Sequence, residues 1–130
     1  MASIFTKIIN REIPAYILAE DEHCIAFLDV YPVCKGHTLV VPKQETDYIF
    51  DLEDDVFTRL HKFSKHVARG LEKAIPCARI ATAVIGLEVP HAHIHLLPIN
   101  SMQDTNFNKP RLTLSKDEMQ NIAEKIRKHL

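Results

Sequence analysis

Apolar and polar positions along this chain change their period more than once, and each change marks an element. Residues 16–20 (YILAE), 23–30 (HCIAFLDV) and 37–42 (HTLVVP) are short runs rich in β-branched and apolar side chains. The polar Asp21-Glu22 pair separates the first two, and the loop VYPVCKGH, with Pro32 and Gly36, precedes the third. This pattern predicts three strands. From about Leu52 to Ala74 the spacing changes: Val56, Leu60, Phe63, Val67, Leu71 and Ala74 recur at three- and four-residue steps and draw one apolar stripe on a long helix. Acidic residues crowd its start, Arg69 and Lys73 sit near its end, and Pro76 closes it. ARIATAVIG (78–86) then predicts a fourth strand, and residues 91–97, where apolar and histidine positions alternate, a fifth. At the termini, Ser3 is placed to cap a short helix running to about Asn10, before the Ile13-Pro14 step. Ser115 followed by Glu118 forms a capping box for a last helix that runs to the chain end. Residues 100–114 read as a loop.

The order of elements is strand-rich around one long helix. It predicts a single α+β domain spanning residues 1–130, a five-stranded antiparallel sheet with a central helix and a C-terminal helix. The 130 residues suffice for one core, and 46% hydrophobic with 25% charged residues is ordinary for a globular domain. A net charge of -1 gives no reason to expect a nucleic-acid groove. No stretch approaches the roughly 18 apolar residues of a membrane span. Three cysteines, Cys24, Cys34 and Cys77, lack CxxC spacing, and we read them as reduced thiols of a cytoplasmic protein, small fillers of the core.

Chemistry concentrates in PHAHIHLLP, residues 90–98. On a strand, His91, His93 and His95 share one face, and Ala92, Ile94 and Leu96 the other. Same-face neighbours lie about 6.6 Å apart, whereas zinc-nitrogen bonds are about 2.0–2.1 Å, so three rings of one straight strand do not converge easily on one ion. The spacing favours a central imidazole flanked by two that orient it and pass protons, the layout of a nucleophile with acid-base neighbours. Two other readings stay open: a solvated strand face, and a metal site built from two of these histidines with His37. His23, His61, His66 and His129 have no such setting.

His91-Ala-His93-Ile-His95-Leu-Leu97 resembles the H-φ-H-φ-H-φ-φ signature of the histidine triad (HIT) nucleotide-binding family. IFTKIINREIP, AFLDVYP and GHTLVVPK resemble its Hint-like branch in the same order, so the likeness covers roughly residues 4 to 98. The resemblance implies an α+β sheet that pairs into a two-fold homodimer. It also implies a purine nucleotide substrate, a 5′-phosphoramidate or dinucleoside polyphosphate, cleaved without metal or cofactor. By position, His93 would attack the α-phosphorus and carry a nucleotidyl intermediate, with His91 serving the leaving group, His95 the phosphate oxygens and His37 the support of the triad. Asp29 would take the ribose hydroxyls. Phe5, Ile8, Phe27, Leu28 and Val30 would wall the base pocket, and the backbone around Gly86, Glu88 and Val89 would approach the phosphate. The chain departs from the family where Gly-Gln-Ser or Gly-Gln-Thr is common, having Gly86-Leu87-Glu88. It departs again where an amide is usual, having Ile80. Half of the polar phosphate cradle is thus altered. The alternatives are a nucleotide-binding module with little turnover and a metal-dependent phosphohydrolase.

Overall fold

The computed structural model describes residues 1–130. Helix α1 (Ile4–Ile9) is followed by β1 (Ile17–Glu20), β2 (Cys24–Leu28) and β3 (Thr38–Pro42). Helix α2 (Asp54–Ala74), β4 (Arg79–Ala83), β5 (Ile94–Ile99) and α3 (Lys116–Arg127) complete the order, with single 3-10 turns at Ile49–Asp51 and Met102–Thr105. The strands form one antiparallel sheet in the order β1-β2-β3-β5-β4. The expected α+β architecture holds. No helix is long and apolar enough to cross a membrane.

Every residue of β2 and β3 is buried, because both faces of the sheet centre are covered. Even-numbered positions of β2, β3 and β5 (Ala26, Leu28, Val40, Ile94, Leu96) pack under α2 and α3 with Leu60, Val67, Leu71 and Ile126. Odd-numbered positions, Ile25, Phe27, Leu39 and Val41, pack on the other face against Phe5 and Ile8 of α1. The two-residue strand period therefore sorts side chains into a large helical core and a small second cluster. Cys24 and Cys34 are buried and free, and burial raises both thiols to about 11, so they are protonated fillers at neutral pH. Cys77 is only partly buried.

Four boundaries differ from the sequence expectation. Helix α2 begins at Asp54, not Leu52, because Leu52 turns inward in extended conformation as a buried residue. Strand β4 stops at Ala83; Val84 and Ile85 are exposed, and Gly86, at φ +75, takes the left-handed backbone that ends an extended run. Helix α3 stops at Arg127, and the last residues fold back so that Leu130 lies over Gly70. A Cβ at Gly70 would meet the Leu130 side chain and lie 3.1 Å from the His129 carbonyl oxygen, so any larger residue there requires Leu130 to move aside. Strand β5 begins at Ile94, which leaves His91 and His93 ahead of the sheet.

Candidate active site

That late start has a local cause. Pro90 offers no N–H to a ladder, and the N–H of His91 folds back to the carbonyl of Val89 at 2.8 Å. The chain then runs extended, with Ala92 N–H donating to the Thr46 carbonyl at 2.7 Å, before β5 pairs with β3 and β4. The alternation survives: Ala92, Ile94 and Leu96 lie in the helical core, and the three histidines point the other way. Asp29 follows Phe27 off the end of β2, and His37 precedes Leu39 of β3. Because β2 pairs Leu28 with Thr38, and β3 pairs Leu39 with His95, both arrive at the same end of the histidine face. Asp29 N–H donates to the His37 carbonyl at 3.0 Å and fixes that corner.

The four rings form a row. His93 and His95 centroids are 4.9 Å apart, His95 and His37 5.1 Å, and the Phe5 ring packs against His93 at 5.0 Å and His91 at 5.7 Å. All four histidines are buried. Burial lowers every one of their pKa values, His37 to about 3 and His95 to about 4, so the row is neutral at pH 7.

Obligatory backbone partners fix the tautomers. The N–H of Val33 must donate, so His37 Nδ1 accepts at 3.0 Å and its proton lies on Nε2. That Nε2–H donates to His95 Nδ1 at 2.9 Å, which leaves the His95 proton on its own Nε2. The His91 carbonyl must accept, so His93 Nδ1–H donates to it at 2.7 Å and His93 Nε2 carries a free lone pair. The Pro42 carbonyl likewise takes His91 Nε2–H at 2.8 Å, and His91 Nδ1 accepts from the Ser3 hydroxyl at 2.7 Å. Every buried side-chain nitrogen and oxygen has a partner. His93 Nε2 and His95 Nε2 have none and therefore reach the open surface of the site. The site presents one nucleophilic lone pair beside one N–H donor.

This geometry corrects two expectations. His91 is fully buried with both nitrogens committed, so it cannot serve a leaving group; its carbonyl instead orients His93. Leu28 faces the helical core, on the wrong side of the sheet for a base pocket. Phe5, Ile8 and Phe27 do lie on the histidine face, packed together with Phe5 edge-on to Phe27 at 5.5 Å, and Val89 rests on their rim. Val30 is half exposed beyond β2. Gly86 has open space around it, and Glu88 points outward with its side chain 85% exposed.

Asp29 accepts from the Tyr31 N–H at 2.8 Å through one oxygen, while the other lies 3.7 Å from His37 Nε2. Burial raises its pKa and the Tyr31 N–H partly offsets this. Asp29, His37 and His95 each offer one ligand atom, all within 4.8 Å of one another. Those residue types suit a divalent ion, but the two nitrogens already share a proton, so an ion would have to displace that hydrogen bond.

Sequence reasoning missed three contributors. Ser3 caps α1 through the Thr6 N–H and also holds His91. Phe107 of the loop after β5 packs edge-on to His95 at 4.9 Å, and Arg111 stands over Phe107 with its guanidinium carbon 5.5 Å from the ring centroid. No local pattern in the loop announces them.

The family model for the HIT domain matches residues 10–102. Among curated proteins, an adenosine 5′-monophosphoramidase of Saccharomyces cerevisiae is 34% identical over 119 residues, covering 83% of this chain and 75% of that one. An uncharacterised HIT-like protein of Methanocaldococcus jannaschii is 42% identical over 99 residues, covering 73% and 77%. Among solved structures, a Hit-like protein of Bartonella henselae superposes with a TM-score of 0.86 at 28% identity, covering 98% of this chain and 96% of the other. A hypothetical histidine triad nucleotide-binding protein of Sulfolobus tokodaii gives 0.85 at 32%, covering 96% and 89%. The histidine row, the sheet that carries it and these likenesses agree: the chain belongs to the HIT domain family.

Proposed function

We propose that the protein is a nucleotidyl hydrolase that cleaves purine nucleoside 5′-phosphoramidates through a nucleotidyl-His93 intermediate. The observation that carries this reading is the His93 tautomer: a proton pinned on Nδ1 by the His91 carbonyl and a free lone pair on an accessible Nε2. The relatives named adenosine 5′-monophosphoramidase, 34% and 31% identical, support the choice of substrate class.

In this reaction His93 Nε2 attacks the α-phosphorus, the phosphorus–nitrogen bond to the leaving amine breaks, and the amine departs with a proton from water. The imidazole becomes a cationic nucleotidyl-imidazolium that keeps Nδ1–H on the His91 carbonyl. Asp29 and Glu88 both favour the charged form of His93, opposing the burial that lowers its pKa, so they stabilise this cation as it develops. His95 Nε2–H donates to a non-bridging oxygen, and the Val33–His37–His95 chain holds that donor in place. Water then attacks phosphorus, the bond to Nε2 breaks, and the monophosphate and a proton leave with His93 regenerated. Asp29, as a two-oxygen acceptor at the end of β2, suits the vicinal ribose hydroxyls.

A metal-assisted route is the second reading, carried by the Asp29-His37-His95 grouping. One incubation separates them: adenosine 5′-phosphoramidate with purified protein, with and without chelator, followed by chromatography for AMP. AMP release that ignores the chelator is expected. Release abolished by chelation would favour the metal route, and saturable binding without release would leave a nucleotide-binding module.

A further inference from the structure

The histidine row and Asp29 carry no positive charge at pH 7. The four histidines are neutral at pH 7, and the two acidic groups that act on His93 are Asp29 and Glu88. A substrate carrying an anionic phosphate would meet a neutral row and two carboxylates, an arrangement that repels it. One cation stands among them. Arg111 lies with one terminal nitrogen 3.9 Å from Asp29 and the other 4.0 Å from Glu88. It belongs to neither β-sheet nor helix but to the loop between β5 and α3.

The placement of Arg111 is built. Leu112 N–H donates to the Pro32 carbonyl at 2.9 Å, and Arg111 Nη1 donates to the Tyr31 carbonyl at 2.7 Å, so two bonds tie the loop to the segment that carries Asp29. Phe107 fills the space beneath, against His95 and His37 at 4.9 and 5.9 Å, and the guanidinium lies over it. The guanidinium has five N–H donors, and the Tyr31 carbonyl takes one. Its distances to the carboxylates exceed hydrogen-bonding range, so these are loose ion pairs that leave donors to spare. The side chain is about a quarter exposed and therefore open to a ligand.

We infer that Arg111 is the cationic phosphate-binding residue of this site, donating beside His95 to the non-bridging oxygens of the nucleotide in place of the amide and hydroxyl absent at Ile80, Leu87 and Glu88. A planar fork suits two phosphate oxygens, and the loop supplies it from outside the 80–90 segment. The neighbouring carboxylates hold the guanidinium at the site mouth before substrate arrives. This inference rests on the nucleotide reading above and names the group that gives it affinity for phosphate.

The test is calorimetric titration of wild type, Arg111→Lys and Arg111→Gln with AMP and with adenosine. Both variants keep terminal N–H donors, and thermal melting checks that each is folded. Loss of the charge in Arg111→Gln should weaken AMP by about tenfold or more, the worth of a charge-assisted hydrogen bond, and leave adenosine within about twofold. Arg111→Lys should keep part of the AMP affinity, because the charge remains without the fork. Equal AMP affinity in Lys and Gln variants would overturn the inference. So would parallel losses for AMP and adenosine, which would make Arg111 a structural tie of the loop. A folded wild type that binds neither AMP nor adenosine would sink the nucleotide reading itself, whereas wild-type binding with an unchanged AMP-to-adenosine ratio in Arg111→Gln sinks the role of Arg111 alone.

Discussion

His37 and His95 share one proton across 2.9 Å, and the backbone N–H of Val33 dictates which of them owns it. A second proton on His95 would cost that bond, and one on His37 would cost the bond from the Val33 N–H, in each case while buried. Burial holds His37 near 3 and His95 near 4, against about 6.5 for a free histidine. In the unfolded chain both rings take up protons as pH falls through 6.5, and in the folded chain they do not. Their stabilising contribution is therefore complete above pH 6.5 and is lost progressively as pH falls towards 4. Glu20, Glu45 and Asp104, whose pKa values are lowered, act in the same direction but only below about pH 4.5. Between pH 6.5 and 5 the histidines dominate, each adding at most about 1.4 kcal/mol per pH unit. Urea unfolding at several pH values should show this slope. His37→Asn, which can still accept from Val33 N–H, should flatten it by about one proton. The same slope in both proteins would contradict the assignment.

His91 makes its contribution through its backbone, and Ser3 is the way to show it. Ser3→Ala removes a helix cap, worth about 1 kcal/mol, and takes the close donor from buried His91 Nδ1, leaving only the Thr6 hydroxyl at 3.5 Å, worth about 1–3 kcal/mol. A loss of about 2–4 kcal/mol in unfolding free energy is expected. Turnover at a temperature where the variant remains folded should stay within about tenfold of wild type, because the His91 carbonyl still orients His93. A loss of several orders of magnitude in kcat with little loss of stability would restore His91 to the chemistry.

How much of this was legible in the sequence depends on whether a short-range period or a long-range contact set the outcome. The two-residue alternation of residues 91–97 placed the histidines on one face correctly, since Ala92, Ile94 and Leu96 alone could enter the core. The strand start was missed because periodicity does not show where a ladder pairs; the Pro90 turn delays pairing to Ile94. Ser3 was visible as a cap, whereas its bond to His91 spans 88 residues and leaves no local trace. Asp29 and His37 came from family resemblance, and strand register explains why they meet. Arg111 and Phe107 had no signal, because their loop is positioned by contacts with Tyr31, Pro32 and two histidine rings.

Dimerisation is expected from the free edge of the sheet. β4 is an edge strand, its outer N–H and C=O groups have no partner, and exposed Val84 and Ile85 follow it. On the neighbouring α2, half-buried Phe57 stacks with exposed Phe50 and lies 4.4 Å from the exposed His61 ring. An apolar edge of this kind is covered most simply by a two-fold copy of itself. Light scattering at micromolar concentration should give twice the chain mass of 14.9 kDa. Val84→Glu together with Ile85→Glu, both at exposed positions, should return it to one chain mass without unfolding. A wild-type mass of one chain would end the proposal.

The assignment of His93 as nucleophile makes the sharpest demand. Its Nδ1 proton is fixed and its Nε2 is the free lone pair of the row, so no neighbour can substitute. His93→Ala should lower kcat by at least about a thousandfold, roughly 4 kcal/mol, with AMP affinity nearly unchanged, because the ring acts in the transition state. His93→Gly with added imidazole should recover part of the rate, since the vacated space lies beside Phe5 and His95 and the His91 carbonyl remains to accept an N–H. Acid-quenched wild type should carry a nucleotidyl adduct on the peptide containing His93, read by mass spectrometry. Because burial lowers the His93 pKa, the acid limb of kcat/KM should fall below pH 6.5, with the ring still a free base at neutral pH. More than about a tenth of wild-type kcat in His93→Ala, a loss under about 1.4 kcal/mol, would show that another group makes the bond to phosphorus.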